Sequence, residues 1–370
     1  MSWNWQQPNW PLFAWHQARL APAEGRFLLE LGTFLGVTKH LDGDDRQRLI
    51  IESIASEALT TSQIENEMLN RASVQSSVRR LFDLETDRVK VKPAERGIAE
   101  MMVDLYRGFA LPLSNETLFN WHRMLMSGRQ DLQNIGQYRT GLEPMQVVSG
   151  ALYAPKIHFE APPPRAIARE MKRFIAWFNR TSPHGKEPLP ALTRSGIAHL
   201  YFVSIHPFED GNGRIARAIA EKALSQSQGQ PTLIALAATI LRKRKSYYDS
   251  LEAANKRNEI THWLTWSAAT TIEAQRRTIA GVEFLLQKTR LLDRLRSHLN
   301  PRQEKALLRM LREGPEGFAG GLSAANYSTI TGASPATATR DLAGLVSHHA
   351  LAREGDRRHA RYHLAIALPQ

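Results

Sequence analysis

The chain has 370 residues, 42% of them apolar and 23% charged, which excludes a disordered or fibrous polypeptide. A chain of this length divides into two or three domains on the usual scale of roughly 100–200 residues each. It has no cysteine, so disulfides, thiol nucleophiles and Cys-ligated zinc or iron–sulfur centres are excluded. A formal net charge of +12 favours polyanionic partners, nucleotides or nucleic acid, without choosing between them.

The opening residues, MSWNWQQPNW, lack the basic and apolar regions of a signal peptide. The longest mostly apolar run, 233–241, is far short of the roughly 18–20 residues of a membrane helix. The expectation is a soluble cytoplasmic protein with no membrane partner. Trp3, Trp5, Trp10 and Trp15 are separated by Pro8 and Pro11, so they form no helical stripe and read as an extended arm pinned by aromatic burial. Residues 26–70 turn helical. Leu28, Leu29, Leu31 and Leu35 recur at three- and four-residue steps, and Leu49, Ile50, Ile54, Leu59, Ile64 and Met68 repeat that period over 46–70.

The spacing predicts further helices over 73–84, 94–108, 115–126, 164–181, 192–205, 213–225, 246–257 and 261–287. The exception is 137–162. There Val147, Val148, Leu152 and Tyr153, followed by Ile157, His158 and Phe159, predict a short hairpin closed by prolines. Beyond 290–299 a Gly-rich stretch breaks the pattern. After it come two short helices (327–331 and 335–347) around Gly332-Ala333-Ser334, then strands at 351–354 and 361–364 around Gly355-Asp356-Arg357-Arg358. That order resembles a winged helix-turn-helix.

The chemistry concentrates in His206–Arg217, HPFEDGNGRIAR, which joins an apolar helix to the start of another. A tight glycine loop at a helix N-terminus points backbone N–H groups into one concavity and adds partial positive charge, which makes an anion site. Gly211 and Gly213 permit positive φ and close approach, and Arg214 and Arg217 add forked donors suited to phosphate. Asp210 offers a hard oxygen for Mg²⁺ beside substrate phosphates. His206 ordinarily titrates near neutrality and can accept a proton from an attacking hydroxyl. Singly these are ordinary residues; together in twelve positions they supply a base, a metal ligand and an anion cradle.

This stretch resembles the Fic family of protein adenylyltransferases, whose signature His-Pro-Phe-x-Asp/Glu-Gly-Asn-Gly-Arg-x-x-Arg it matches without departure. The resemblance implies a mainly α fold, a helical Fic core with a β-hairpin flap, that moves AMP from MgATP to a Ser, Thr or Tyr hydroxyl of a target protein or of itself. It implies His206 as general base, Asp210 as Mg²⁺ ligand, and Phe208, Gly211, Asn212, Gly213, Arg214 and Arg217 as ATP-binding residues. Glycine at 213, where related kinases carry lysine, implies adenylyl rather than phosphoryl transfer. Gly136-Gln137-Tyr138-Arg139 and the hairpin with Val148, Leu152 and Tyr153 resemble the flap, which pairs with an extended target. Tyr247, Tyr248, Leu251 and Asn255 resemble the adenine side. Their three- and four-residue steps place Tyr248, Leu251 and Asn255 on one helix face.

Thr61-Ser62-Gln63-Ile64-Glu65-Asn66 matches the family's inhibitory pattern Ser/Thr-x-x-x-Glu-Gly/Asn. The resemblance implies that Glu65 pairs with Arg217, occupying the seat of the γ-phosphate and turning ATP into an unproductive pose. It leaves removal of AMP from a target open, and makes a homodimer the typical state. Residues 290–370 hold twelve Lys/Arg against seven Asp/Glu, with Arg357, Arg358 and Arg361 at the expected wing, which suits DNA backbone contacts. Protein docking suits such a module equally, because its recognition helix offers only Arg340 as a long cation. The competing reading is a DNA-binding regulator whose Fic-like core senses nucleotide without turnover. The expected division is 1–85 for the Trp-rich arm and inhibitory region, 86–288 for the catalytic core and 289–370 for the winged-helix-like domain.

Overall fold

The computed structural model describes residues 2–39, 41, 43–85, 89–142, 144–149, 156–314, 318, 320–356 and 359–365. Two compact units divide it, one formed by 1–32 with 43–276 and the other by 33–42 with 277–370.

In the first unit a short 3-10 turn (Asn4–Gln6) precedes α1 (Gln17–Thr38), α2 (Gly43–Ile64), α3 (Arg71–Leu81), α4 (Pro93–Gly108) and α5 (Asn115–Leu125). The hairpin β1 (Gln146–Ser149) and β2 (Lys156–Glu160) follows, then α6 (Pro164–Arg180), α7 (Ala191–Ile205), α8 (Asn212–Gln228), α9 (Leu236–Arg242), α10 (Arg244–Ala254) and the start of α11 (Thr261–Leu295). The helical stretch expected over 26–70, with its second part over 46–70, is α1 and α2, and it begins nine residues earlier than the leucine spacing marks.

α7 is the axis of the unit, because every one of its residues is buried. A helix apolar on all sides has no solvent face to turn outward, so it must lie inside. Several of its polar groups are bonded in place. Arg194 donates to Phe178 O and Gln226 Oε1, Ser195 Oγ to Ala220 O, and the Tyr247 hydroxyl lies 3.0 Å from His199 Nε2. α8 lies along it, its contact face built from small residues such as Ala216, Ala220 and Ala223. That close approach fixes where α7 ends and α8 begins.

The Trp-rich arm is buried against this unit as the sequence suggests. Trp10 packs edge-on against Tyr201, and Trp3 against Phe159. Trp5 Nε1 donates to Glu160 O, while Asn4, fully buried, donates to Ser204 Oγ at 2.8 Å. The β1–β2 hairpin pairs Gln146 with Glu160 and Ser149 with Lys156, with a register shift between Val147 and Val148. Leu152 and Tyr153 of the expected hairpin lie outside the described residues.

The second unit contains α12 (Pro301–Leu311), α13 (Ala324–Thr331), α14 (Pro335–Ser347), and an antiparallel hairpin of β3 (Leu351–Glu354) and β4 (Arg361–Leu364). Asn300, Ser323 and Ser334 cap the three helices with side-chain oxygens, which satisfies donors a helix cannot satisfy itself. The core is Leu307, Met310, Leu322, Tyr327, Leu342, Leu345 and Tyr362. A bridge between Leu322 and Tyr362 joins the loop before α13 to β4. Asp341, buried among these helices, accepts from Asn300, Arg302 and the Tyr327 hydroxyl. A C-terminal hairpin is therefore present, while Arg357 and Arg358 lie outside the described residues. Among the described residues no helix is long and apolar enough to cross a membrane.

Candidate active site

α7 ends at His206, which turns into the left-handed region at φ 51 and ψ 60. A non-glycine residue there is strained, so neighbours must hold it. Its N–H donates to Phe202 O, and Arg139 Nε donates to its carbonyl at 2.8 Å. Arg139 also donates through its backbone N–H to Pro207 O and through Nη2 to Pro162 O, so one buried guanidinium bolts the loop to the end of the hairpin. The imidazole Nδ1 faces Val203 O at 3.3 Å. A carbonyl only accepts, so Nδ1 carries the proton and Nε2 is left with its lone pair. Burial, and then the Arg139 guanidinium, pull the imidazole pKa down to about 4, so the ring is neutral at pH 7.

The loop between the helices is closed by Asn212, whose side chain accepts from Phe208 N–H and donates to Phe208 O. Phe208 is fully buried and stacks on His122 with ring centroids 4.2 Å apart. It anchors the loop and presents no face to the concavity. Gly211, at φ 81, leads into α8, and a Cβ there would lie 2.7 Å from the Met126 Cε and 2.8 Å from a Leu125 methyl. Only glycine fits. The first turn of α8 then leaves the N–H groups of Asn212, Gly213 and Arg214 without intrahelical acceptors, aimed out of the helix end.

Both motif arginines are engaged from the segment at the end of α2. Arg217 is 1% exposed; Nε donates to Thr61 Oγ1 at 2.7 Å, and Nη2 to Thr61 O and to Glu65 Oε1 at 2.8 Å. Asn66 stands at φ 64, ending the helix with a left-handed residue, a position that favours Gly or Asn. That turn accounts for the last letter of the Thr-x-x-x-Glu-Asn pattern, because it folds Glu65 back over the start of α8. Glu65 Oε1 sits where a Cβ on Gly213 would fall. Arg214 pairs with Glu67, two residues further on, and approaches Asp210 Oδ1 at 3.4 Å. Nothing in the sequence marks Glu67 as a partner of Arg214.

Asp210 stands at the mouth, its Oδ2 2.7 Å from Arg129 Nη1. Burial alone would raise its carboxyl, but Arg214, Arg129 and the Gly211 N–H outweigh burial and hold it below the ordinary carboxylate range. Glu209 turns away to the Gln133 N–H and Asn134. Among the described residues no cluster of three or more His, Asp or Glu side chains forms a cage for a metal. One accessible, ionised carboxylate beside an anion cradle fits Mg²⁺ that arrives on phosphates, since that ion commonly keeps one or two carboxylates plus phosphate and water oxygens.

On the side expected for adenine, the two tyrosines separate. Tyr247 is in the core, its hydroxyl 3.0 Å from His199 Nε2 and 3.4 Å from Arg217 Nη1, so it buttresses Arg217 from beneath rather than lining a surface. Tyr248 is 39% exposed and its hydroxyl donates to Glu65 Oε2 at 3.3 Å. Leu251 is buried. Asn255 is buried too, with its Oδ1 accepting from Ser204 Oγ and its backbone carbonyl from Asn4 N–H, so the Trp-rich arm holds it. Val148, on the hairpin, is exposed, as are Val147 and Ile157.

Residues 112–224 match the Fic/DOC family, and residues 3–84 match a domain of unknown function, DUF4172. The protein adenylyltransferase fic-1 of Caenorhabditis elegans is 29% identical over 143 residues, 39% of this chain and 24% of that protein. The protein adenylyltransferase Fic of Drosophila melanogaster is 35% identical over 95 residues, 26% of this chain and 18% of that protein. The chain thus spans about a quarter or less of the length of the curated relatives it matches. A crystal structure of a Fic family protein from Desulfovibrio desulfuricans G20 aligns over 93% of this chain and 96% of its own, with a TM-score of 0.52 and 20% identity, which is a likeness of fold.

Proposed function

We propose that this chain, a Fic/DOC family protein distantly related to the Fic protein adenylyltransferases, transfers AMP from MgATP to a Ser, Thr or Tyr hydroxyl of a target protein or of another copy of itself. The observation that supports the reading is one helix–loop–helix junction that carries His206 with its free Nε2, the N–H groups of the first turn of α8, and Arg214 and Arg217. Such a site binds a triphosphate and places a base beside it. The acceptor hydroxyl gives its proton to His206 Nε2 as its oxygen attacks the α-phosphorus. The bond to the bridging oxygen breaks, and pyrophosphate leaves towards the arginines and the helix end. Asp210 would hold Mg²⁺ that arrives on the phosphates, and the ion would supply neutralisation of their charge. The exposed Val147, Val148 and Ile157 on the hairpin give an extended acceptor segment an edge and an apolar face to pair with. Tyr248 and Leu251 face the base, with Tyr247 beneath them.

Glu65 keeps this activity low. Its carboxylate holds the Arg217 fork that the γ-phosphate would take, and two anions there repel each other. Intact-mass spectrometry after incubation with MgATP tests both parts. Glu65→Gly gains the mass of AMP far faster than wild type, and Glu65→Gly with His206→Ala gains none while still binding MgATP. Absence of any adduct with Glu65→Gly, on itself or on the proteins of an added lysate, refutes the transfer reading.

A second reading concerns the C-terminal unit, whose three helices and hairpin we take as a winged helix, with Arg340 and Arg353 exposed on it. DNA binding by this module would make the chain a nucleotide-sensing regulator. Salt-dependent duplex binding without AMP transfer would favour that reading.

A further inference from the structure

A hairpin of two short strands is at best marginally stable alone, so the rest of the chain must hold β1–β2 in place. β1 is exposed at all four positions, and β2 buries only Phe159. One anchor lies at the base of the hairpin, where Trp3 packs on Phe159, Trp5 donates to Glu160 O, and Arg139 donates to Pro162 O. A second anchor, further out, belongs to none of the motifs. Ser149 Oγ on β1 lies 2.6 Å from His158 Nε2 on β2, and His158 Nδ1 lies 2.7 Å from Glu252 Oε2 on α10. Glu252 is held in turn by Lys256 Nζ at 2.9 Å, one helical turn on. Glu252 follows Leu251 and lies four residues after Tyr248, so the helix that carries the adenine side also carries the end of this chain.

The polarity of the chain is fixed by its ends. Hydrogen bonds from Lys256 and then His158 hold the Glu252 carboxyl down to about 2, so it only accepts. His158 Nδ1 therefore carries a proton and donates to it. On the other side of the ring the Ser149 hydroxyl, which can donate or accept, meets Nε2.

We propose that His158 and Glu252 are positioning residues for adenylyl transfer: they latch the hairpin to α10, so that the strand registering the acceptor and the helix facing the base hold one arrangement. The latch rests on the adenylyl-transfer reading for its purpose, though not for its existence. A loosened hairpin presents the acceptor hydroxyl out of line with the α-phosphorus, and misplacement of this size lowers the rate steeply. Neither side chain touches the reacting atoms.

The test is a double-mutant cycle in the full chain, read two ways. Amide hydrogen exchange of 146–149 and 156–160 needs no catalysis. His158→Ala and Glu252→Ala each speed it about tenfold, and the double variant speeds it no further. Glu252→Gln, whose amide oxygen still accepts from Nδ1, stays near wild type. In a Glu65→Gly background the same variants lower kcat for AMP incorporation about tenfold and raise KM for ATP, with no change in Tm. Unchanged exchange, or losses that multiply in the double variant, overturns the latch. Faster exchange with unaltered kcat and KM overturns its positioning role. If Glu65→Gly transfers no AMP at all, to itself or to the lysate proteins, the transfer reading fails, and exchange alone still decides whether the latch exists.

Discussion

Glu57 and Glu221 are the least expected pair in the protein, and they give a pH dependence that can be measured. Glu57 on α2 and Glu221 on α8 are 5% and 6% exposed, and their carboxyls lie against each other. Glu57 Oε2 accepts from Ala237 N–H at the start of α9, while Oε1 finds no ordinary donor. Two buried carboxylates in contact cannot both be charged, so they share a proton. Burial raises Glu57 from 4.5 to about 7 despite the donors at Ala237 and Ala238 and the nearby Arg217, and Glu221 is raised by burial and by Glu57. The sign follows from linkage. Between pH 4.5 and about 7 the folded pair keeps a proton that the unfolded chain has released. The stabilisation is complete below that window and is lost as pH rises through it, at ~1.4 kcal/mol per pH unit, or about 3 kcal/mol in all. For a unit of this size that is a fall in Tm of roughly 5–10 °C. Glu57→Gln replaces the shared proton with an amide that donates to Glu221 and keeps its oxygen on Ala237, so it flattens the slope. Thermal unfolding of both proteins from pH 5 to 8.5 checks this. An equal slope in wild type and Glu57→Gln refutes the shared proton.

Three further outcomes follow from the site. Glu67→Ala removes the partly exposed half of the Arg214 pair, worth about 1 kcal/mol, and is expected to raise AMP incorporation about threefold, less than Glu65→Gly does; labelled-ATP incorporation measures both. Asn66→Val forces a β-branched residue to φ 64, weakens the turn that seats Glu65 and raises incorporation, whereas Asn66→Gly leaves it unchanged. Because burial and Arg139 keep the His206 pKa near 4, the base is fully deprotonated above about pH 5, so kcat in Glu65→Gly is level from pH 6 to 8. A rise centred near 6.5 shows instead an imidazole at its ordinary value.

The twelve-residue motif was legible because its chemistry is local. Base, carboxylate, glycine turn and arginines are neighbours in sequence, and a helix–loop–helix junction brings them together with no help from topology. Glu65 was legible because its partner sits in that motif and the Asn66 turn leaves a local pattern. What escaped is long-range. Arg129 meets Asp210 across 81 residues, His158 meets Glu252 across 94, and Glu67 meets Arg214 across 147. A lone acid or base on an amphipathic helix carries no mark of such a partner. Tyr247 escaped for a different reason: adjacent helical residues point about 100° apart, so one of two tyrosines must face inward, and only packing against His199 decides which.

The inhibition proposed for Glu65 would rest on a seam between two helices rather than on one ion pair. Arg214, Arg217 and Glu221 stand at successive turns of α8, and Glu67, Glu65 with Thr61, and Glu57 meet them in order from α2 and the turn after it. Residues three and four apart share a helix face, so a single face of α8 makes all three contacts. Two of the contacts join opposite charges and the third joins like groups through a proton held below about pH 7, so no single condition releases all of them. High salt screens the Glu67 pair at the surface, while Arg217 is too buried to feel it. A triphosphate needs Arg217 itself, so substrate competes only with Glu65 and leaves Thr61 and Glu57 in place. Under the proposed function, Glu65 substitutions therefore act on catalysis with α2 still docked.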